Sequence, residues 1–466
     1  MPRTWAISGV DLHVELTASR VRAGLEKALR DAVRMGRLPA GIRLPSSRQL
    51  AVDLGVARNT VAEAYGQLVA EGWLVARQGS GTHVAARAST PEGPPPNASA
   101  VRPPRYDLRP GIPNLAAFPT AAWTTALRRA LNSAPANALG YGDSRGSREL
   151  RTALAGYLAR ARGVRADPDR ILVCSGFTQG LALLAQVLRD RGAATVAVEA
   201  YGQPAHHRVL GAHGLTTRPI PVDRAGAATH RLTDAHAVLL TPAHQFPLGP
   251  SLAPQRRTAA ISWAADTGGL VIEDDYDGEF RYDRHPVGAL QPLAPDHVAY
   301  LGTASKTLAP GVRLGWLVPP RRLLDDLVTA KAVADGQSST LDQLALADLI
   351  TTGGYDRHVR RSRLAYRRRR DQLAHALHRE VPAARITGIA AGLHAVVTLP
   401  DGAGETATIL RANGHGLALD GLDGYRHSGP EHPGPALVVG YATPPDHAYT
   451  GALARLTAIM QTVRRP

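Results

Sequence analysis

Gly302-Thr-Ala-Ser-Lys306-Thr-Leu-Ala-Pro-Gly-Val-Arg313 is the stretch on which the reading of this chain turns. Lys306 is one of only three lysines in 466 residues, the others being Lys27 and Lys331; positive charge is otherwise carried by arginine. A guanidinium stays protonated and forms no Schiff base, whereas a lysine amine does. A lysine kept in a small-residue loop, seven residues before an arginine, points to covalent carbonyl chemistry beside an anion site.

Working outward, short apolar runs alternate with helical stretches. Ile171–Cys174, Thr195–Val198, Ala237–Leu240, Leu270–Glu273 and Val298–Gly302 read as buried strands. Helical segments such as Thr178–Leu188 and Ser251–Ala265 lie between them. This alternation predicts a parallel sheet covered on both faces. Gly176-Phe177-Thr178-Gln-Gly180 follows one strand and opens a helix, so its backbone N–H groups suit a phosphate. Glu273-Asp274-Asp275-Tyr276 ends another strand, and alternation places Ile272, Asp274 and Tyr276 on one face. From about Gly353 a long helix leads to a smaller α+β part with strands near Ala395–Leu399 and Leu437–Tyr441. That helix carries eight arginines between Arg357 and Arg370, a pattern that fits an additional DNA-facing surface and more often marks a solvated face or a subunit contact.

The first 85 residues read differently. Val21, Leu25, Ala28, Leu29, Ala32 and Val33 keep helical spacing and predict a helix over 16–35. Ser46 or Ser47 suits the cap of a short helix that Gly55 ends. Another helix carries Val61, Tyr65, Leu68 and Val69 on one face. Trp73-Leu-Val and Thr82-His-Val flank Arg77-Gln78-Gly79-Ser-Gly81, a hairpin. Three helices and a hairpin make a winged helix-turn-helix over 1–85. Arg58, Asn59 and Thr60 begin the second helix of the motif, where side chains meet base edges. Residues 86–106 are rich in proline, including Pro94-Pro-Pro96, and read as a linker. The large domain then occupies 107–466.

Composition bounds the rest. The formal charge is +15, which favours an anionic partner. The first 105 residues hold 14 Lys/Arg against 8 Asp/Glu, so the excess is not confined to the DNA-binding module. Cys174 is the only cysteine, which fits a reducing compartment. No signal peptide and no apolar run of membrane-spanning length is visible, so the expected location is cytoplasmic with no membrane partner. The 18 histidines show no metal-ligand spacing, and His206-His207 reads as surface.

The N-terminal module resembles the GntR family of winged-helix repressors. The match runs through Arg43-Leu-Pro-Ser-Ser47-Arg48-Gln-Leu50, Leu54-Gly-Val-Ala-Arg58-Asn-Thr60-Val, Leu68-Val-Ala-Glu-Gly72-Trp-Leu and the Gly79-Ser-Gly81 wing. The resemblance implies double-stranded operator DNA as partner, met by Arg43, Ser47, Arg48, Arg58, Asn59, Thr60, Gln78 and Gly79. The large domain resembles fold-type I aminotransferases, which use pyridoxal 5′-phosphate (PLP). That resemblance implies a Schiff base at Lys306 and a phosphate held by Gly176, Phe177, Thr178, Thr303, Ser305 and Arg313. It also implies a carboxylate at the pyridine nitrogen, for which alternation favours Asp274 over Asp275, and Tyr276 at the ring hydroxyl. Tyr141-Gly-Asp143 resembles the segment that reaches a neighbouring subunit's phosphate, which implies a homodimer.

The whole chain resembles the MocR subfamily of GntR regulators, a winged helix joined to an aminotransferase-like domain. The implied function is PLP-dependent transcription regulation, with PLP or a small amine as effector and no certain catalytic residue. An active aminotransferase carrying a DNA-binding domain is the rival. Three positions depart from the enzymes' pattern. Phe246 replaces a ring-binding asparagine. In Glu199-Ala-Tyr201-Gly-Gln203-Pro204 the stacking aromatic falls on Gln203 by straight count, with Tyr201 as its substitute if the loop shifts. Val438 stands where the substrate-carboxylate arginine is usual.

Overall fold

The computed structural model describes residues 3–7, 10–14, 21–86, 104–282, 287–427 and 434–462, the first two stretches by backbone alone. The chain forms two compact units, divided between Pro103 and Pro104.

In the first unit the helices Val21–Arg34, Ser47–Leu54 and Arg58–Ala70 pack around Leu25, Leu29, Leu50, Leu54, Val61 and Leu68. The part of the expected first helix before Val21 lies outside the described residues. Ser46, not Ser47, caps the second helix and accepts from the Gln49 N–H at 3.2 Å. Gly55 ends that helix in a left-handed conformation, φ 61°, which a glycine adopts without a Cβ clash. Leu74–Arg77 and Gly81–Val84 form the antiparallel wing. The strands Arg3–Ile7 and Val10–Val14 form a further hairpin that the sequence reading did not foresee.

The second unit begins earlier than the expected linker end. Tyr106–Asp107 is a strand paired in parallel with Leu417–Ala418, and the Tyr106 N–H donates to Gly416 O at 3.0 Å. The aromatic side chain packs against the small core of the C-terminal part, so this stretch belongs to the domain and not to the linker. Residues 87–103 of the expected linker lie outside the described residues.

Seven strands form the central sheet, in the order Leu172–Cys174, Gly315–Val318, Val298–Thr303, Leu270–Asp275, Ala237–Leu240, Thr195–Glu199, Thr216–Ile220. The expectation of an all-parallel sheet is corrected: Gly315–Val318 runs antiparallel to both neighbours. The eleven residues from Ala304 to Leu314 are too few for a crossover helix, so the chain folds back beside its own strand. The observed strands Leu172–Cys174, Thr195–Glu199, Leu270–Asp275 and Val298–Thr303 differ from the sequence readings by a residue or two at their ends. Gly354–Glu380 leads to a four-stranded antiparallel sheet built on His394–Thr398 and Ala436–Gly440.

Candidate cofactor cavity and DNA-facing surface

A cavity of about 360 Å³ opens at the carboxyl ends of the central strands, the place where open α/β sheets bind ligands. Five of the seven strands deliver a group to it at their ends. Gly176, Phe177 and Thr178 follow the first strand, Glu199 ends another, and Thr241 follows Ala237–Leu240. Asp274 and Tyr276 come from the end of Leu270–Asp275, while Thr303, Ser305 and Lys306 follow Val298–Thr303.

The helix Phe177–Asp190 starts at Gly176, φ 91°, without a side-chain cap. Its first N–H groups therefore lack intrahelical partners and form an anion site. The facing strand must also start with glycine, since a Cβ on Gly315 would come within 2.9 Å of the Gly176 backbone. Arg313 adjoins the same point, its Nη1 3.5 Å from where a Gly176 Cβ would sit. It is the one non-glycine residue at positive φ (54°) among those described. Such backbone costs on the order of 1–3 kcal/mol and clusters at functional sites. Thr303 Oγ1 lies 2.9 Å from Ser305 Oγ, which orients the loop before the lysine. Behind that loop, Thr307 Oγ1 lies 2.7 Å from the Tyr355 hydroxyl and its carbonyl 2.7 Å from His358 Nε2.

The charges of the cavity are buried and incompletely paired. Lys306 Nζ donates to Gly111 O at 2.6 Å and has no carboxylate within ion-pair reach among the described residues. Burial lowers its pKa, against the pull of Asp274 and Asp277. Burial raises the Asp274 carboxyl well above its ordinary range, with Lys306 opposing. Asp274 Oδ1 has no hydrogen-bond partner among the described residues. Its neighbour is committed elsewhere: Asp275 takes Arg162 through two bonds, at 2.6 and 3.0 Å, and accepts from the Tyr300 hydroxyl at 2.8 Å. Asp274 thus lines the cavity and Asp275 does not. Tyr276 OH lies 3.1 Å from His244 Nδ1, which lies 2.8 Å from Asp277 Oδ2. Glu199 accepts from Thr241 and from Gln245 Nε2, and burial pushes its carboxyl up to about 7.

Other expectations change. Tyr201 does not line the cavity; it is buried with Val396, Leu422 and Val438, and its carbonyl accepts from Gln245 Nε2 at 2.8 Å. Gln203 and His206 line the cavity instead. The surface reading is therefore corrected for His207, which also lines the cavity, and for His206. The helix Pro204–Ala212 carries the His206 ring to 4.6 Å from that of Phe177, and burial pushes its pKa down to about 3. Only the proline that starts this helix signalled it, since a histidine in a first turn carries no apolar periodicity. His394 was also missed: it lines the cavity from the small sheet, its ring 4.9 Å from that of Phe246. Val438 is fully buried beside Tyr201, off the cavity. Among the described residues Arg313 is the only arginine that lines it. Tyr141 is fully exposed, in a turn whose Gly140 O and Gly142 N are both held by Gln337.

A second surface lies on the N-terminal unit. Arg43, Arg48, Arg58, Asn59, Gln78 and Gly79 are exposed; Ser47 and Thr60 are half-buried. Acids of this unit are taken by other cations: Arg22 pairs with Glu63, Lys27 with Asp31 and Arg30 with Glu71. Arg43, Arg48 and Arg58 have no carboxylate partner among the described residues. The helix Arg58–Ala70 has no side-chain cap, which leaves its first N–H groups open as well.

Known proteins fit both surfaces. Residues 22–84 match the family of bacterial regulatory proteins of the gntR type, and residues 111–418 match aminotransferase class I and II. The HTH-type pyridoxine biosynthesis transcriptional regulator PdxR of Corynebacterium glutamicum is 36% identical over 381 residues, 80% of this chain and 82% of that one. The probable rhizopine catabolism regulatory protein MocR of Rhizobium meliloti is 34% identical over 368 residues, 74% of each chain. The chain belongs to the MocR subfamily of GntR transcriptional regulators.

This MocR-type regulator has an aminotransferase fold in its large unit. An archaeal alanine:glyoxylate aminotransferase superposes with a TM-score of 0.70 over 77% of this chain and 91% of that one, at 23% identity, a likeness of fold alone. The α-aminoadipate aminotransferase LysN of Thermus thermophilus gives 0.68 at 26% identity, over 77% and 92%. The cofactor of the large domain is PLP. The cavity fits it: an orphaned buried carboxylate oxygen complements a pyridinium N–H, and a helix start with an arginine complements a phosphate. Among the described residues no helix is long and apolar enough to cross a membrane.

Proposed function

We propose that this regulator changes its operator affinity when PLP, or a small amine reacting with PLP, occupies the cavity, without steady transaminase turnover. The observation that carries the reading is that the described residues bring one arginine to the cavity. Arg313 stands at the phosphate end, so no guanidinium remains for the bidentate clamp that orients a substrate carboxylate. Bound PLP supplies an electrophilic carbonyl and an electron sink. Lys306 holds it covalently, and its lowered pKa keeps the amine nucleophilic. Asp274 faces the pyridine nitrogen and Tyr276 the ring hydroxyl. Gly176, Phe177, Thr178, Thr303, Ser305 and Arg313 take the phosphate, and His206, in place of Tyr201, faces the ring.

Tyr141, exposed on a clamped turn, reaches a second copy, so the working form is a cytoplasmic homodimer. In each protomer Arg58, Asn59 and Thr60 read base edges. Arg43, Ser47, Arg48, Gln78 and Gly79 contact backbone and groove. Domain limits near 1–85 and 104–466 follow from the winged-helix pattern and from the strand at Tyr106. The effector must bind two conformations unequally, which shifts operator affinity by about 1–3 kcal/mol.

The test is operator binding titrated with PLP, with and without amines, beside a turnover assay on amino acids and keto acids. Operator affinity that follows cofactor occupancy is the expected result. Repeated turnover at about 1 per second or faster, the low end of ordinary enzymes, would favour the enzyme reading.

A further inference from the structure

A second cavity, of about 410 Å³, lies against Tyr157, Arg162, Gly278, Glu279, Arg360 and Arg363. Its volume falls in the range of small-molecule sites, about 300–1,000 Å³. Side chains alternate along a strand, so Asp275 faces away from Asp274 and meets Arg162 on this side.

The groups of this cavity are unequally satisfied. Arg162 is neutralised by Asp275 and also donates to Gly278 O at 3.1 Å. Asp356 is taken by Arg160 at 2.7 Å. Arg281, also in the lining, donates to Ala243 O and Ser251 Oγ. Three groups remain. Glu279 is 8% exposed, and its carboxylate receives one side-chain donor, the Tyr157 hydroxyl at 3.1 Å. Arg363 uses Nε on Glu279 O at 2.7 Å, and its Nη atoms have no partner among the described residues. Arg360 is exposed and has neither ion pair nor hydrogen bond among them.

We propose that this cavity binds a small amino-carboxylate zwitterion, its carboxylate on Arg360 and Arg363 and its ammonium on Glu279. A simple anion would leave the buried Glu279 carboxylate with only Arg162, already committed to Asp275, as a nearby cation, and a simple cation would make no use of the two exposed guanidiniums. A zwitterion meets both, and the forked guanidinium geometry suits a carboxylate. Burial pushes the Glu279 carboxyl up to about 7, so a bound ammonium would favour its ionised form. The site is separate from the cofactor cavity. It is joined to it by the segment 274–279, whose first residue faces PLP and whose last faces the zwitterion.

The probe is N,N-dimethylglycine, whose tertiary ammonium keeps one N–H but cannot condense with the cofactor carbonyl. Calorimetry on the full-length, PLP-loaded protein should show one site per chain with Kd in about the millimolar range or tighter. Arg360→Gln, at an exposed position, and Glu279→Gln should each weaken it at least about tenfold, with borohydride-trapped cofactor on Lys306 unchanged in the Arg360 variant. Absence of binding to the unmodified protein would overturn the proposal. So would unaltered affinity in Arg360→Gln. Acetate or inorganic phosphate binding as tightly as the probe would also overturn it, because the ammonium would then contribute nothing. If Glu279→Gln fails to fold, the Arg360 variant and the acetate comparison still decide.

Discussion

The DNA-facing surface and the cofactor cavity both display charges without partners, and the two cases carry different weight. On the winged helix, Arg43, Arg48 and Arg58 are exposed, so water solvates them and their isolation costs almost nothing. What makes them informative is the pairing of other charges nearby, as in Arg30 with Glu71. In the cavity, Asp274 is withdrawn from water and Lys306 partly so, and there an unmatched charge is expensive. Burial shifts both groups towards neutrality. An exposed unpaired arginine permits a ligand; a buried orphaned carboxylate oxygen calls for one.

The sharpest break of this comparison is chemical. Borohydride reduction of the PLP-loaded protein should fix the cofactor to the peptide containing Lys306, and Lys306→Ala should abolish capture. Label on Lys331 or Lys27 would remove the covalent assignment. Next in size is the contrast between adjacent aspartates. Asp275→Asn leaves Arg162 buried without its counter-charge, so thermal unfolding should show a loss of about 3–5 kcal/mol. Asp274→Asn should leave the cofactor-free protein as stable or more so, while PLP affinity falls by about 1.5–3 kcal/mol. Equal effects of the two on stability would mean that Asp274 is a structural acid.

On the exposed side the effects are smaller. Arg58→Ala should weaken operator binding by about 1–3 kcal/mol and leave PLP binding intact. An equal loss on random DNA would make Arg58 a phosphate contact only. Ser46→Ala removes a helix cap and should cost the winged-helix unit about 1 kcal/mol, read by its own unfolding transition.

A pH scan sharpens the same contrast. Glu199, Glu273 and Glu279 are each pushed from 4.5 up to about 7 by burial. A folded pKa above the unfolded one means the native state holds the proton longer. The stability of the cofactor-free large domain should therefore fall as pH rises from about 4.5 to 7 and level off above. Glu199→Gln should flatten part of that slope. Among its described residues the winged helix has no such carboxylate: the acids Asp31 and Glu71 are lowered by Lys27 and by Gln67 and Arg30. Its stability should fall instead as pH drops through the carboxylate range, from about 4.5 downward.

Much of the fold was legible because periodicity and turn chemistry are local. The strand Ala237–Leu240 reads off the sequence residue for residue, and the helix Arg58–Ala70 and the wing are marked by apolar spacing and glycine. The antiparallel Gly315–Val318 was not legible, because direction depends on how the connection from Lys306 folds back. The hairpin of Arg3–Ile7 and Val10–Val14 was missed, and so was Tyr106, a pairing with a segment some three hundred residues away in sequence.

The candidate site divides along the same line. Motif order brings Lys306, Arg313, Gly176 and Asp274 to attention, because each sits near a strand terminus at the one edge of the sheet. Alternation even separates Asp274 from Asp275. Sequence could not say that His206 and not Tyr201 meets the cavity, that His394 arrives from the small sheet, or that Arg369 of the arginine-rich helix pairs with Asp446. It gave no sign of the cavity between Glu279 and Arg360. These depend on side chains from distant segments sharing one volume, and burial, which sets their protonation, exists only once the chain has closed around them.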